Sequence, residues 1–286
     1  YKGIEVGEGG YVYAEPGAYR NVALIDVESM HPTSAINMNL FGKYTKNYED
    51  LLRARLAIKH GDFETASKML DGKLQPYLID ESMAKELSYA LKIVINIVYG
   101  LTSAKFENDF NDIRNKDNIV AKRGALFMVD LMEAVKAEGY TVVHIKTDSI
   151  KIADADDYII NFVTEFGKKY GYNFEHEATY ERMCLVNDAV YVAYDKDNWT
   201  ATGAQFKHPY VFKSLFSGEE IEFDNLVETK EVKTALYLDM VESTGIAEDE
   251  HLVFIGKVGN FVPVVPGIGG GVLLREKDGK YHAATG

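Results

Sequence analysis

The sequence has very little cysteine, since Cys184 stands alone among 286 residues. A single thiol excludes an internal disulfide framework and leaves no cysteine cluster for a structural zinc ion. No apolar run approaches the ~20 residues that a membrane-spanning helix needs, and the N-terminus lacks the basic and then apolar pattern of a signal peptide. These absences predict a soluble protein that contacts no membrane and works in a reducing compartment, the cytoplasm.

Basic residues are also scarce, with 31 Lys and Arg against 44 Asp and Glu and a net charge of −13. Spread evenly, such a charge would argue against nucleic-acid binding, because Lys and Arg neutralise phosphates. The charge is uneven, however: residues 217–250 hold eleven acids and two bases, which leaves only −4 for the rest of the chain. Local basic surfaces are therefore compatible with the composition.

The elements that are present follow an irregular mixture of helical and strand patterns. Apolar spacing predicts helices over residues 47–60, 81–100, 119–138 and 156–170. Short apolar or alternating runs predict strands at residues 22–25, 141–145, 150–152 and 189–194. Because helices and strands do not alternate regularly, the sequence predicts an α+β fold.

The helix predicted over 81–100 has two distinct faces. Its apolar stripe is predicted to consist of Leu87, Leu91, Val94 and Val98. Lys92, Asn96 and Tyr99 lie together on another face. A solvated surface is the commoner interpretation of such polar residues.

The helix predicted over 47–60 carries a basic pair. Asn47 is the predicted N-cap and Gly61 the predicted stop signal. Arg55 and Lys59 are one helical turn apart and therefore project from the same side. Ordinary surface charge is the alternative interpretation of this pair.

Two aspartates each follow a strongly apolar strand. Asp26 ends the run 22–25, and Asp148 lies near the tip of a hairpin predicted over 141–152. Carboxylates at neighbouring strand ends can hold the paired Mg²⁺ ions that phosphoryl transfer requires. Aspartates at strand ends more often form turns or cap helices, so this pattern alone leaves both roles open.

Three segments resemble the motifs of family B DNA polymerases and occur in that family's order. Residues 26–34 (DVESMHPTS) resemble motif A, D-x-x-S-L-Y-P-S. Residues 92–100 (KIVINIVYG) resemble motif B, K-x-x-x-N-S-x-Y-G, and residues 146–149 (KTDS) resemble motif C, D-T-D-S. Upstream, residues 7–10 (GEGG) are similar to the Y-x-G-G template-contact motif. The whole looks most like a bacteriophage polymerase.

This resemblance implies a role for each candidate site residue. Asp26 and Asp148 would be the catalytic carboxylates and would hold two Mg²⁺ ions together with the carbonyl group of Val27. The residues expected to bind the incoming nucleotide are His31, Arg55, Lys59, Lys92, Asn96 and Tyr99. The residues expected to contact DNA are Gly9, Gly10, Tyr191 and Lys207.

Three departures from the family pattern bear on activity. Lys146 replaces the first aspartate of motif C and places a cation near the expected metal site. His31 replaces the tyrosine of motif A that is associated with rejection of ribonucleotides. The basic K-K-R-Y run that holds the primer corresponds to residues 187–191, in which only the aromatic Tyr191 matches.

As a family B polymerase, the chain would contain palm, fingers and thumb regions. The resemblance implies a palm with an antiparallel sheet in residues 1–45 and 101–195, helical fingers in 46–100, and a mixed thumb-like region in 196–286. No exonuclease domain is expected in this chain. The implied reaction is template-directed addition of dNTPs to a primer 3′-OH.

The expected partners are a primed DNA template, dNTPs and replication proteins, and a viral chain would act in the cytoplasm of its host cell. One alternative is a catalytically weak or silent polymerase-like module that binds nucleic acid within a replication complex. Another is a different palm-type nucleotidyltransferase, such as a primase.

Overall fold

The computed structural model describes residues 1–6, 9–203, 206, 209–239, 252–261, 272–277 and 280–283. The chain divides into two units, Tyr1–Asn198 and Trp199–Gly286. None of the helices in the described ranges combines the length and apolar character that crossing a bilayer requires.

A seven-stranded sheet in the order β1-β3-β4-β2-β5-β6-β7 organises the fold. Its strands are β1 (Val12–Ala14), β2 (Gly17–Val27), β3 (Thr141–Lys146), β4 (Ser149–Ala153), β5 (Phe174–Asn187), β6 (Val190–Asp195) and β7 (Asn198–Thr202). The described strand registers in this sheet are antiparallel. The predicted α+β class is therefore confirmed.

The helices of the described ranges lie mainly in the first unit. They are α1 (Met30–Asn37), α2 (Thr45–Lys59), α3 (Phe63–Lys68), α4 (Glu81–Leu101), α5 (Ile113–Lys116), α6 (Ile119–Ala137), α7 (Asp157–Lys169) and α8 (Pro209–Phe212). Short 3₁₀ turns at Gly42–Tyr44, Leu70–Gly72 and Gln75–Tyr77 connect them. Helices α6 and α7 share one hydrophobic core with the central strands.

Strand β2 lies inside the sheet, between β4 and β5. Ile25 and Val27 are buried in the core shared with α6 and α7, whereas Val22 belongs to a cluster on the other side of the sheet. Because successive side chains of a strand point to opposite faces, Asp26 lies on the face away from α6 and α7. The predicted buried strand at 22–25 is confirmed, and it extends at both ends.

Helix α4 confirms the prediction over 81–100, and the side chain of Asp80 accepts a hydrogen bond from the Met83 amide at its N-terminus. The predicted apolar stripe is partly wrong. Val94 is 43% exposed, whereas Ile95 is buried together with Leu91. Ile95 thus occupies the buried position of α4 that the predicted stripe assigned to Val94.

The predicted N-cap of the second helix is wrong. Helix α2 begins at Thr45, and Tyr44, not Asn47, occupies the N-cap position. The 3₁₀ turn Gly42–Tyr44 leads directly into the helix, so helical backbone begins before Asn47. At the other end, Gly61 adopts a φ of 75° just after the helix, in agreement with the predicted stop signal.

The predicted hairpin around Asp148 is confirmed. Lys146 of β3 pairs with Ser149 of β4, which leaves Thr147 and Asp148 as a two-residue turn. Thr147 has a φ of 58°, the left-handed conformation that such tight turns require. Upstream, Gly139 has a φ of 89° just after α6, as expected for the residue that ends this helix.

The second unit contains α8, a π-helical turn at Lys213–Ser217, a 3₁₀ turn at Phe223–Leu226 and a four-stranded antiparallel sheet. Its strands are β8 (Glu228–Asp239), β9 (Leu252–Phe261), β10 (Val272–Lys277) and β11 (Lys280–Ala283), in the order β11-β10-β8-β9. Lys277 pairs with Lys280 in this sheet. The two central residues of the turn predicted there, Asp278 and Gly279, lie outside the described residues.

Candidate active site

One cavity of about 470 Å³ receives side chains from the end of β2, the β3–β4 turn, α1, α2 and α4. The predicted site residues that line it are Asp26, Val27, His31, Arg55, Lys59, Lys92, Asn96, Tyr99 and Asp148. The sheet supplies its carboxylates, and the helices α2 and α4 supply its cations. Every predicted metal-binding and nucleotide-binding residue thus lines a single cavity.

Asp26 and Asp148 are held close together by the sheet. Asp26 pairs with Ser149 across β2 and β4, and the Val27 amide donates a hydrogen bond of 2.8 Å to the Asp148 carbonyl oxygen. Burial raises the pKa of Asp26 to about 7, and the negative charges of Asp148 and Glu177 act in the same direction. A bound cation would relieve this repulsion.

The basic side chains of the cavity differ in what they contact. Arg55 donates a hydrogen bond of 3.2 Å from Nη1 to Ser29 Oγ, while its buried Nε has no partner within the described part of the chain. Lys59 Nζ lies 2.6 Å from Glu175 Oε2. Lys92 is exposed at the cavity wall. The three side chains together offer a cationic surface that suits a polyphosphate.

His31 and Tyr99 form a parallel aromatic pair at the cavity. Their ring centroids are 5.8 Å apart and the ring planes differ by 9°. Burial lowers the pKa of His31, although the charge of Asp148 opposes the effect. The imidazole is therefore neutral at pH 7 and can act as a flat surface with a hydrogen-bonding atom at its edge.

Three residues that could together hold a metal ion were not predicted from the sequence, and two of them, Glu28 and Glu175, line the same cavity. Glu28, His60 and Glu175 each place a ligand atom within 4.8 Å of the others. His60 Nε2 lies 2.9 Å from Glu28 Oε1. These contacts, together with the Lys59–Glu175 pair, connect the C-terminal end of α2 to the residue that follows β2 and to β5.

Gly9, Gly10 and Tyr191, three of the four predicted DNA-contacting residues, are not among the described residues that line this cavity. Gly10 packs against the turn that carries Asp148, since a Cβ added to Gly10 would lie 2.5 Å from Thr147 Cγ2. Gly9 is exposed. Tyr191 lies on β6, next to the buried side chains of His144 and Lys151. Gly7, Glu8, Lys207 and His208 lie outside the described residues.

Lys146, which replaces an aspartate in the motif C pattern, is exposed at the end of β3 and is not among the residues that line the cavity. Its positive charge nevertheless contributes to lowering the pKa values of His144 and Lys151.

Comparisons with known proteins agree with this arrangement at the level of the fold. No protein-family model matches the chain, and no curated protein matches its sequence. Among solved structures, the family B DNA polymerase from the hyperthermophilic archaeon Pyrobaculum calidifontis matches with a TM-score of 0.52 and 14% identity. The fold is polymerase-like. The match covers 96% of this chain but only 43% of the archaeal polymerase, so the chain spans less than half the length of that protein.

The sequence did not predict the burial of two polar residues near the cavity. Lys151 is 3% exposed and His144 is fully buried. The alternation Ile150-Lys151-Ile152 predicted only a strand, whereas β4 lies inside the sheet and both of its faces are covered. The one sequence feature that could have indicated that Lys151 lies near the cavity is its position three residues after Asp148.

Proposed function

We propose that this chain is the palm, fingers and thumb-like part of a template-directed DNA polymerase. The palm would consist of residues 1–45 and 101–195, the fingers of 46–100 and the thumb-like region of 196–286. The observation that carries the proposal is the cavity in which Asp26 and Asp148 face Arg55, Lys59 and Lys92. Its carboxylates suit metal ions, and its cations suit a triphosphate.

The donor set fits Mg²⁺. Asp26 and Asp148 offer hard carboxylate oxygens, and the main chain of Val27 lines the same cavity. The raised pKa of Asp26 reflects an excess of negative charge that a divalent ion would offset. When bound there, two Mg²⁺ ions would stabilise the attacking and the leaving oxygens.

The remaining side chains would bind and orient the substrates. Arg55 and Lys92 would hold the triphosphate of the dNTP, and Lys59 would join them when it leaves Glu175. Tyr99 and His31 would provide the flat surface beneath the nascent base pair and the sugar. The primer 3′-oxygen would form a bond to the α-phosphorus, pyrophosphate would leave, and the hydroxyl proton would pass to water.

The direct test is primer extension with and without Mg²⁺. We expect Mg²⁺-dependent incorporation by the wild-type chain and a loss of at least about 100-fold in Asp148→Asn, because the amide keeps the shape but not the charge. Asp154→Asn is the matched control: Asp154 is exposed at the end of β4 and has no place in the cavity. Equal rates for the wild type and Asp148→Asn would contradict the proposal.

A catalytically silent, DNA-binding module is the second candidate. It is favoured by Lys146, which replaces an aspartate of motif C, and by the ion pair that Lys59 forms with Glu175. This candidate predicts binding of primed DNA without extension at any Mg²⁺ concentration. The polymerase proposal also includes a bacteriophage origin, a location in the cytoplasm and binding to replication partner proteins.

A further inference from the structure

Lys151 is a buried cation that has no carboxylate in ion-pair contact within the described residues. It lies on β4 and is 3% exposed. Within the described ranges, no carboxylate oxygen lies within 4.0 Å of its Nζ atom. The atom instead lies 3.2 Å from His144 Nδ1 and 5.1 Å from the centre of the Tyr191 ring. The ammonium group is thus held by an imidazole and an aromatic face.

His144 is fixed in one tautomer by its two neighbours. Its Nε2 atom lies 3.0 Å from the carbonyl oxygen of Asp188, which can only accept a hydrogen bond. Nε2 therefore carries the proton, and Nδ1 is free to accept a hydrogen bond from Lys151. Burial and the charge of Lys151 both lower the pKa of His144 and keep the ring neutral.

This arrangement is costly for the fold. A charge that is removed from water without an ion-pair partner loses solvation free energy, and an aromatic face recovers only part of that loss. Burial lowers the pKa of Lys151 to about 8, although Asp26, Glu177 and Asp148 act in the opposite direction. We therefore expect an apolar side chain at this position to keep or increase the stability of the protein.

Lys151 lies near two parts of the sheet that have roles in the proposed reaction, the strand that carries Asp26 and the strand that carries Tyr191. Lys151 pairs with Leu24 across β2 and β4, and Asp26 is two residues further along the same face of β2. Lys151 Nζ also faces the ring of Tyr191, the one residue of segment 187–191 that matches the primer-holding pattern. Lys151 is therefore a direct neighbour both of the strand that carries Asp26 and of the expected primer contact.

We infer that Lys151 and His144 are positioning residues that hold Tyr191 against the primer strand, with Lys151 supplying the cation that segment 187–190 lacks. The inference rests on the proposed polymerase function. Lys151 acts on the primer through the Tyr191 ring, and its positive charge beneath the sheet surface favours the approach of the primer phosphates.

The test compares Lys151→Met with the wild type. Methionine has a similar length but no charge, so we expect an unchanged or higher Tm because a buried charge is removed. We expect a Kd for a fluorescent primed duplex that is about five- to tenfold higher, measured by anisotropy in EDTA, with an unchanged KM for dNTP. Lys169→Met removes an exposed lysine at the end of α7 and is the control for net charge.

A double-mutant cycle gives an independent test. Tyr191→Leu should weaken primer binding as much as Lys151→Met does, and the double variant should be no weaker than either, because both changes disable one unit. Tyr191→Phe keeps the ring and should retain most of the affinity.

Two results would overturn the inference alone. The first is that Lys151→Met binds primed DNA as tightly as the wild type does. The second is that Lys151→Met has a lower Tm and that its effect on primer binding adds to that of Tyr191→Leu, which would indicate a purely structural lysine. If the wild-type chain binds no primed DNA, the polymerase proposal fails and this inference fails with it.

Discussion

Lys59 Nζ lies 2.6 Å from Glu175 Oε2, so the last residue of α2 is ion-paired to the second residue of β5. The hydrogen bond from Lys59 lowers the pKa of Glu175, and the charges of Lys59 and His60 act in the same direction. Both side chains are about two-fifths exposed, and exposed pairs of this kind contribute at most about 1 kcal/mol. A triphosphate could therefore displace Glu175 from Lys59 at a small energetic cost.

Glu175→Gln should lower the KM for dNTP by about two- to fivefold, because it removes the carboxylate that competes with the triphosphate for Lys59. Steady-state primer extension would measure this change, with Glu181→Gln as a control at an exposed position of the same strand. Lys59→Ala should raise the KM instead. An unchanged KM in both Lys59→Ala and Glu175→Gln would show that Lys59 does not contact the nucleotide.

Asp26→Asn should stabilise the metal-free protein above pH 7. The folded-state pKa of Asp26, about 7, is higher than the ordinary value of 3.8. Its contribution to stability is therefore complete below about pH 4 and is lost as the pH rises through 7. In EDTA at pH 8 we expect the variant to have a Tm a few degrees above that of the wild type, with the difference shrinking towards pH 5. A difference that does not vary with pH would contradict the assignment.

His31 should control the choice between deoxyribose and ribose. Its ring stacks on Tyr99 at the cavity, and an imidazole fills less volume than a phenol. We expect His31→Tyr to increase the preference for dNTP over rNTP and His31→Ala to abolish most of it, while dNTP incorporation persists. The ratio of kcat/KM values for paired dNTP and rNTP substrates measures this preference. Identical ratios in all three proteins would place His31 away from the sugar.

Gly10→Ala should disturb the turn that carries Asp148. The added methyl group would lie 2.5 Å from Thr147 Cγ2, whereas a methyl group added to Gly9 would meet nothing within 4 Å, so Gly9→Ala tests the expected DNA contact without this clash. We expect extension activity to fall about tenfold or more in Gly10→Ala, because a shift of about 1 Å in a catalytic group can cost 100-fold. Adding Thr147→Gly should restore activity by removing the clash. No rescue would indicate that Gly10 acts through the template instead.

The local elements that carry the site were predictable because their patterns are short and strong. The apolar run before Asp26, the hairpin around Asp148 and the helix that carries Lys92 all appear where the sequence predicts them. Their meeting in one cavity followed only from the motif resemblance, since no local pattern indicates which strands become neighbours. The roles of the individual residues stay predictions.

Other features depend on contacts that sequence periodicity does not contain. The burial of Lys151 results from the inner position of β4, and the exposure of Val94 results from the way α4 packs on α2. The pairing of His60 with Glu28 joins residues of separate elements. Such contacts are set by tertiary packing, which overrides local preference.

The inner position of β2 has a consequence for the order in which the protein can fold. Asp26 is synthesised before β4 and β5, yet its strand needs β4 on one side and β5 on the other, and β5 ends only at Asn187. Pairings between residues so far apart in the chain form slowly. A nascent chain that has emerged only as far as α7 therefore carries both aspartates and all three cations of the cavity, yet lacks Glu175 and the second flank of β2.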